Sequence, residues 1–278
     1  MVKAQPFGAV PPPAGRAWGE ELWRLEGVSH AFDDVVLFRD ATLSVHRGET
    51  LAIIGESGCG KSVWLKIMLG LIEPDEGRVL FKGTDLQKMT DLQLEQVRQS
   101  VGYLFQAGAL FDSMTVHDNV AYALYEHTDM PLDRIRDRVV QCLEMVGLEA
   151  RIVDQFPASL SGGMRKRVAL ARAIAVEPEV VLYDEPTQGL DPQNITRISN
   201  MIESLRDRLA ITSVLVTHDM RCAFGVCDRI ALVHDHKFQY VASPRWFLES
   251  DDPPVKEFID DARDDLEEVG IVAKLSAR

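Results

Sequence analysis

Residues 55–62 read GESGCGKS, after the apolar run LAIIG (51–55) and before KSVWLKIMLGL, whose apolar residues recur at helical spacing. A glycine-rich turn joining a buried strand to a helix fits G-x-x-x-x-G-K-[ST] in the context that pattern requires. Glycines let main-chain N–H groups curl around a triphosphate, and the helix N-terminus adds a favourable dipole. Lys61 supplies a charge for the β- and γ-phosphates, and the Ser62 hydroxyl ligates Mg²⁺. The expected cradle is therefore Gly55, Glu56, Ser57, Gly58, Cys59, Gly60, Lys61 and Ser62. At Cys59 any small residue fits, so reactivity of its thiol stays open.

Outward from this loop, apolar β-rich runs alternate with helical ones. LWRLEGVSHAF, VVLFRDATLSVHRG, GRVLFKG (77–83) and VGYLFQ read as strands, as do VVLYDEP, TSVLVTHD and RIALVHD. Helical spacing marks TDLQLEQVRQS, NITRISNMIESLRDRLA and most of 107–175, which reads as a helical insertion. Such alternation implies an α/β fold with a parallel, doubly covered sheet. EVVLYDEP (179–186) ends its strand in two acids. Asp184 is placed to hold Mg²⁺, directly or through water. Glu185 follows immediately and diverges from it, which lets it polarise or deprotonate an attacking water.

The 278 residues carry 30 Lys+Arg against 43 Asp+Glu, a net charge of -13 that argues against a general nucleic-acid binder. Of that excess, -8 falls between Glu249 and Glu268. There VKEFIDDARDDLEEVG puts Val255, Phe258, Ile259, Ala262, Leu266 and Val269 on one helical face, opposite the acids. That face docks either on the chain's own core or on a neighbouring protein. The four cysteines show no CxxC spacing and no adjacent histidine cluster, so they read as reduced thiols rather than metal ligands. Residues 1–20, with Pro6, Pro11, Pro12 and Pro13, read as a flexible tail without a signal core. No run of about 18 apolar residues is present, so a cytosolic chain is expected.

LSGGM (160–164) narrows the reading: a serine and two glycines opening a helix make a second anion-binding terminus. One chain has no evident need of two cradles for one nucleotide, whereas two copies paired head to tail would each close the other's site.

With these motifs in this order, residues 22–248 resemble the nucleotide-binding subunit of an ATP-binding cassette (ABC) transporter. The resemblance implies a P-loop NTPase (RecA-like) parallel-sheet core with an antiparallel β edge and an inserted α-helical subdomain. The ATPase domain would span 21–250, with the helical subdomain at about 107–175 and an acidic amphipathic helix at 251–278. ATP and Mg²⁺ are the implied cofactors. Phe32 would stack on adenine, although the family more often has tyrosine there and a core phenylalanine is the alternative. Gln106 would touch Mg²⁺ or water. Ser161, Gly162 and Gly163 would cap the partner's γ-phosphate, Asp191 in GLD (189–191) would sit at the dimer seam, and His218 in VTHD would contact the γ-phosphate and orient Glu185.

The signature departs from the family in ending at Met164 rather than glutamine, and RKRVALARAIA follows it with Arg165, Lys166, Arg167 and Arg172. That run reads either as a solvated helix face or as a subfamily mark. With FQAGALFDSMTVHDNVAYAL (105–124) it resembles the ATPases of MCE/Mla-type lipid transport systems, where importers of sugars and amino acids read LSGGQ-x-QRV. The implied partners are a second copy, integral-membrane permease subunits and an MCE-domain lipid-binding protein, with no nucleic acid. The implied location is the cytoplasmic face of the inner membrane. Leu110, Phe111 and Met114 are the apolar residues expected at a permease contact, or else in the core of the lobe.

Overall fold

The computed structural model describes residues 18–33, 35–56 and 58–276, so the proline-rich segment lies almost wholly outside the described residues. The chain begins β1 (Glu21–Phe32), β2 (Val35–His46), β3 (Thr50–Gly55), α1 (Lys61–Met68), β4 (Glu76–Phe81), β5 (Thr84–Asp85) and α2 (Asp91–Gln99). It continues through β6 (Val101–Leu104), α3 (Val116–His127), α4 (Leu132–Met145), α5 (Gly162–Ile174), β7 (Val180–Asp184), α6 (Pro192–Leu209) and β8 (Thr212–Val216). The last elements are α7 (Met220–Val226), β9 (Arg229–His234), β10 (Lys237–Ala242), α8 (Pro244–Glu249), α9 (Pro253–Glu268) and α10 (Ile271–Ser276). Two compact units result, one from the chain up to Leu94 together with Val214 onward, the other from Glu95–Ser213.

In the first unit an antiparallel sheet runs in the order β2-β1-β4-β5. Trp23 of β1 sits opposite Phe81 of β4, its ring 4.7 Å from that phenylalanine, and its indole N–H donates to Met68 O at 3.0 Å. One buried aromatic thus fixes the sheet to the end of α1, satisfying its polar tip as burial demands. Phe38, Trp64 and Phe238 stack in sequence, at 3.7 and 4.6 Å between ring centres, and clamp α1 between β2 and β10. β3 pairs in parallel with β9, and β9 antiparallel with β10. Every residue of β3 is buried, the continuous apolar run of a strand covered on both faces.

The acidic C-terminal stretch forms α9, packed against α7 and α8 of the same unit. Val255, Ile259, Ala262 and Leu266 are buried in that contact, so this apolar face is docked on the chain's own core. Phe258 is half-buried, and Val269, the residue just past the end of α9, is exposed.

In the second unit β6 and β7 run parallel, from Val101 opposite Val180 to Leu104 opposite Tyr183. A Cβ on Gly102 would come within 2.2 Å of Ala173 O, so only glycine lets β6 pass this close to α5. Helices α3, α4 and α5 pack on one another between Val116 and Ile174. The buried Arg138 of α4 donates to Ile174 O and Ala175 O, a cation closing the C-terminus of α5. Asn119, fully buried on α3, takes the Phe111 N–H and donates to the carbonyls of Phe111, Met114 and Thr115. It holds the 111–115 turn so that Phe111 is exposed while Leu110 and Met114 are half-buried, which leaves Phe111 outside the lobe core. Among the described residues no helix is long and apolar enough to cross a membrane.

Candidate functional site

The phosphate loop belongs to the first unit. It leaves β3 at Gly55 and enters α1 at Lys61, with Gly58 and Gly60 at φ of +84° and +83°. At Gly60 a Cβ would meet Phe38 Cζ at 2.9 Å, so a side chain there meets both a disfavoured φ and a wall of β2. Lys61 is buried, and its ammonium donates to Gly55 O at 3.0 Å and Glu56 O at 2.9 Å. The lysine thereby draws the loop around its own charge. Burial pushes the Cys59 thiol up, with the Lys61 charge pulling it back, which favours the neutral form. Ser62 opens α1 within the same turn. Ser57, expected in the cradle, lies outside the described residues.

Phe32 ends β1 beside the hairpin turn and is 47% exposed, its ring edge-on to His30 at 4.8 Å. It is therefore not a core residue, and the exposed aromatic surface that base stacking needs is present. His218 is exposed just past β8. Its neighbour Thr217 donates its N–H to Ile53 O at 3.1 Å, which sets the histidine loop beside the strand feeding the phosphate loop. Asp219 accepts the Cys222 N–H and starts α7.

The second unit carries the acids. Asp184 is the last residue of β7, buried, and accepts a 3.1 Å bond from the Tyr103 hydroxyl of β6. Burial and the Asp184 charge both raise the Tyr103 pKa, so the phenol stays protonated and remains a donor. A single buried carboxylate at a strand end suits Mg²⁺, which takes one or two carboxylates and completes its shell with water and phosphate oxygens. Glu185 is also buried and stands at φ +47°, in the turn that follows β7. Gln106 is exposed, and its amide donates to Gln188 Oε1 at 2.5 Å.

Ser161 caps α5 by accepting the Met164 N–H at 3.3 Å, leaving Ser161 and Gly162 exposed at an open helix N-terminus. Asp191 caps α6 and accepts two bonds from Asn194, whose N–H groups hold its carboxyl below the usual range. A Cβ on Gly163 would lie 3.5 Å from Asn194 Cγ, so the two helix N-termini are neighbours within this unit.

In the basic run after the signature Lys166 is buried, Arg167 and Arg172 are half-buried and Arg165 is exposed. Arg165 donates to Leu160 O, Lys166 to Glu185 O and Pro186 O, Arg167 to Gly147 O, and Arg172 to Gly108 O and Ala109 O. All four cations tether main-chain carbonyls. Tyr103, Gln188 and Lys166 touch the candidate residues Asp184, Gln106 and Glu185, and motif reading misses them because each is linked by a contact and not by a pattern.

Residues 38–188 match the family model described as ABC transporter. The chain is 38% identical over 240 residues to the intermembrane phospholipid transport system ATP-binding protein MlaF of Escherichia coli, covering 86% of this chain and 89% of that protein. It is 37% identical over 239 residues to the probable ribonucleotide transport ATP-binding protein mkl of Mycobacterium tuberculosis, covering 86% of this chain but 66% of that longer one. Among solved structures, the ATP-binding cassette MJ0796 in a dimeric post-hydrolysis state bound to ADP and Pi superposes with a TM-score of 0.73. That match has 30% identity and covers 80% of this chain and 99% of the other.

Proposed function

This chain belongs to the ABC transporter family and is an ATPase of that family, and we propose that two copies sandwich two MgATP and so power a separate membrane permease that moves phospholipid. The observation that carries the paired reading is the exposed N-terminus of α5, a second anion-binding terminus on a chain that already has a phosphate loop. The dimeric state of the MJ0796 cassette supports it. ATP binding drives closure because the closed pair binds nucleotide better than the open one, and the permease responds to that difference.

In this reading Lys61 and the loop N–H groups hold the phosphates. Ser62, Gln106 and Asp184 offer the hard oxygens that suit Mg²⁺, whose charge offsets that developing on the transferred phosphoryl. Glu185 takes a proton from the attacking water, His218 holds carboxylate and γ-phosphate in register, and Phe32 stacks on the base. Ser161, Gly162 and Gly163 cap the partner's γ-phosphate, and Asp191 lines the seam. The phospholipid cargo rests on the relative in Escherichia coli, which this chain covers nearly end to end. An MCE-domain protein would complete the machine at the cytoplasmic face of the inner membrane. A second reading, another small-molecule cargo, is favoured by the ribonucleotide transport name of the mycobacterial relative.

Glu185→Gln tests the central role. The variant should bind ATP, lose turnover by a factor of about 10²–10⁴, the range of a lost general base, and sediment as a dimer with MgATP. Turnover at the rate of the unmodified chain would remove Glu185 from that role.

A further inference from the structure

We propose that Lys166 is a positioning residue for hydrolysis: from the signature helix α5 it holds the turn that aims the Glu185 carboxylate. The inference rests on the reading of Glu185 as the group that activates water.

Lys166 lies five residues past the cap Ser161, and its side chain is buried. A buried ammonium is costly unless partnered, and it is commonly paired with a carboxylate. Here Nζ instead donates to two consecutive main-chain carbonyls, Glu185 O at 3.1 Å and Pro186 O at 3.0 Å. Those carbonyls belong to the turn in which Glu185 stands at φ +47°. For a residue with a Cβ that conformation is disfavoured and persists only where its surroundings hold it. Two bonds from one cation to successive carbonyls supply such a hold.

The direction in which the Cα–Cβ bond leaves the chain follows from the backbone angles, so fixing these carbonyls fixes where the Glu185 side chain starts. Burial lowers the Lys166 pKa while the Glu185 charge opposes that fall, consistent with a cation kept close to the carboxylate it positions. The bonds also make the turn follow any movement of α5. A ligand settling on the N-terminus of that helix therefore acts, through Lys166, on the turn that carries the carboxylate.

The side chain can be changed without touching the reacting groups. Lys166→Met keeps the length and removes the donors, Lys166→Arg keeps donors and charge, and Lys166→Gln keeps donors alone. The full chain, with the partners that copurify from membranes, would be assayed for ATP turnover over a range of ATP concentrations, and its thermal melting recorded.

Misplacing a catalytic group by about 1 Å can cost about 100-fold, so Lys166→Met should lower kcat by about 10- to 100-fold. A positioning role leaves KM for ATP within about threefold and lets Lys166→Arg restore most of kcat. A folded Lys166→Met with unchanged kcat would overturn the inference. So would kcat and KM worsening in parallel without rescue by arginine, the pattern of general damage. If Lys166→Met does not fold, Lys166→Gln decides, with lowered kcat at unchanged KM in support and unmodified kinetics against. Glu185→Gln run alongside separates the two layers: if it retains turnover, the reading of Glu185 falls and takes this inference with it. If it is inactive while Lys166→Met is unaffected, only the inference falls.

Discussion

Gly163→Ala should leave a more stable protein that has lost its activity. Gly163 is the second residue of α5 and has ordinary helical φ, so a Cβ brings no backbone strain. The nearest atoms to that Cβ would be Asn194 Cγ and Oδ1 at 3.5 Å and Nδ2 at 3.7 Å, ordinary contact distances. Replacing a helical glycine by alanine lowers the entropy of the unfolded chain and is worth about 0.5–1 kcal/mol. For a chain of this size that amounts to a melting temperature about 1–4 °C higher. The same methyl lies at an open helix terminus, where in the proposed dimer a phosphate would approach the backbone closely. Alanine keeps the main-chain N–H, so the methyl acts by holding the phosphate off it; an oxyanion donor put out of reach costs a factor of about 10²–10³, and turnover should fall by at least the lower figure. Differential scanning calorimetry and a phosphate-release assay read the two effects independently. Unchanged turnover would show that no phosphate approaches this terminus, and a melting temperature several degrees lower would refute the packing argument.

Other outcomes follow from buried contacts and from the loop. Leu266 is fully buried where α9 meets α7 and α8, so Leu266→Ala should cost about 2–5 kcal/mol in urea unfolding. A cost below about 0.5 kcal/mol, the level of an ordinary surface change, would mean the helix docks elsewhere. Cys59, whose thiol burial pushes up, should alkylate more slowly at pH 8 than free cysteine, with a rate still climbing through pH 9 because only the thiolate reacts. MgATP should slow that alkylation further, and a rate at pH 7 above that of free cysteine would contradict the assigned environment.

The phosphate loop and the Asp184–Glu185 pair are legible in the sequence because each combines an apolar strand with a short run of types that few other structures require. The long strands and helices show for the same reason, their periods being sustained. α7 (Met220–Val226), β10 (Lys237–Ala242) and α8 (Pro244–Glu249) are too short to display a period, and they exist because α9 and β9 give them a surface to cover. Composition alone does not show what the basic run after the signature contacts. Charge counts favour a solvated face, whereas each of these cations has a main-chain carbonyl within reach once α5 is folded. Tyr103 and Lys166 escape for a related reason. Tyr103 lies 81 residues from Asp184 and Lys166 lies 19 from Glu185, so only the fold brings each pair together.

Burial removes a core position for two aromatics and shows what covers one apolar stripe, neither of which residue type decides. Phe32 and Phe111, both aromatic and both plausible in a core, are 47% and 42% exposed. Val255, Ile259 and Leu266 lie on a stripe that a neighbour could equally have covered, and they are sealed within their own unit.

Recovering the tagged chain from its native membranes in mild detergent shows whether this ATPase drives a phospholipid-moving permease. Mass spectrometry would then identify the proteins and lipids that come with it. The expected result is a permease, an MCE-domain protein and enriched phospholipid. A permease accompanied by a solute-binding protein, without lipid enrichment, would contradict the claim and leave only the ATPase standing.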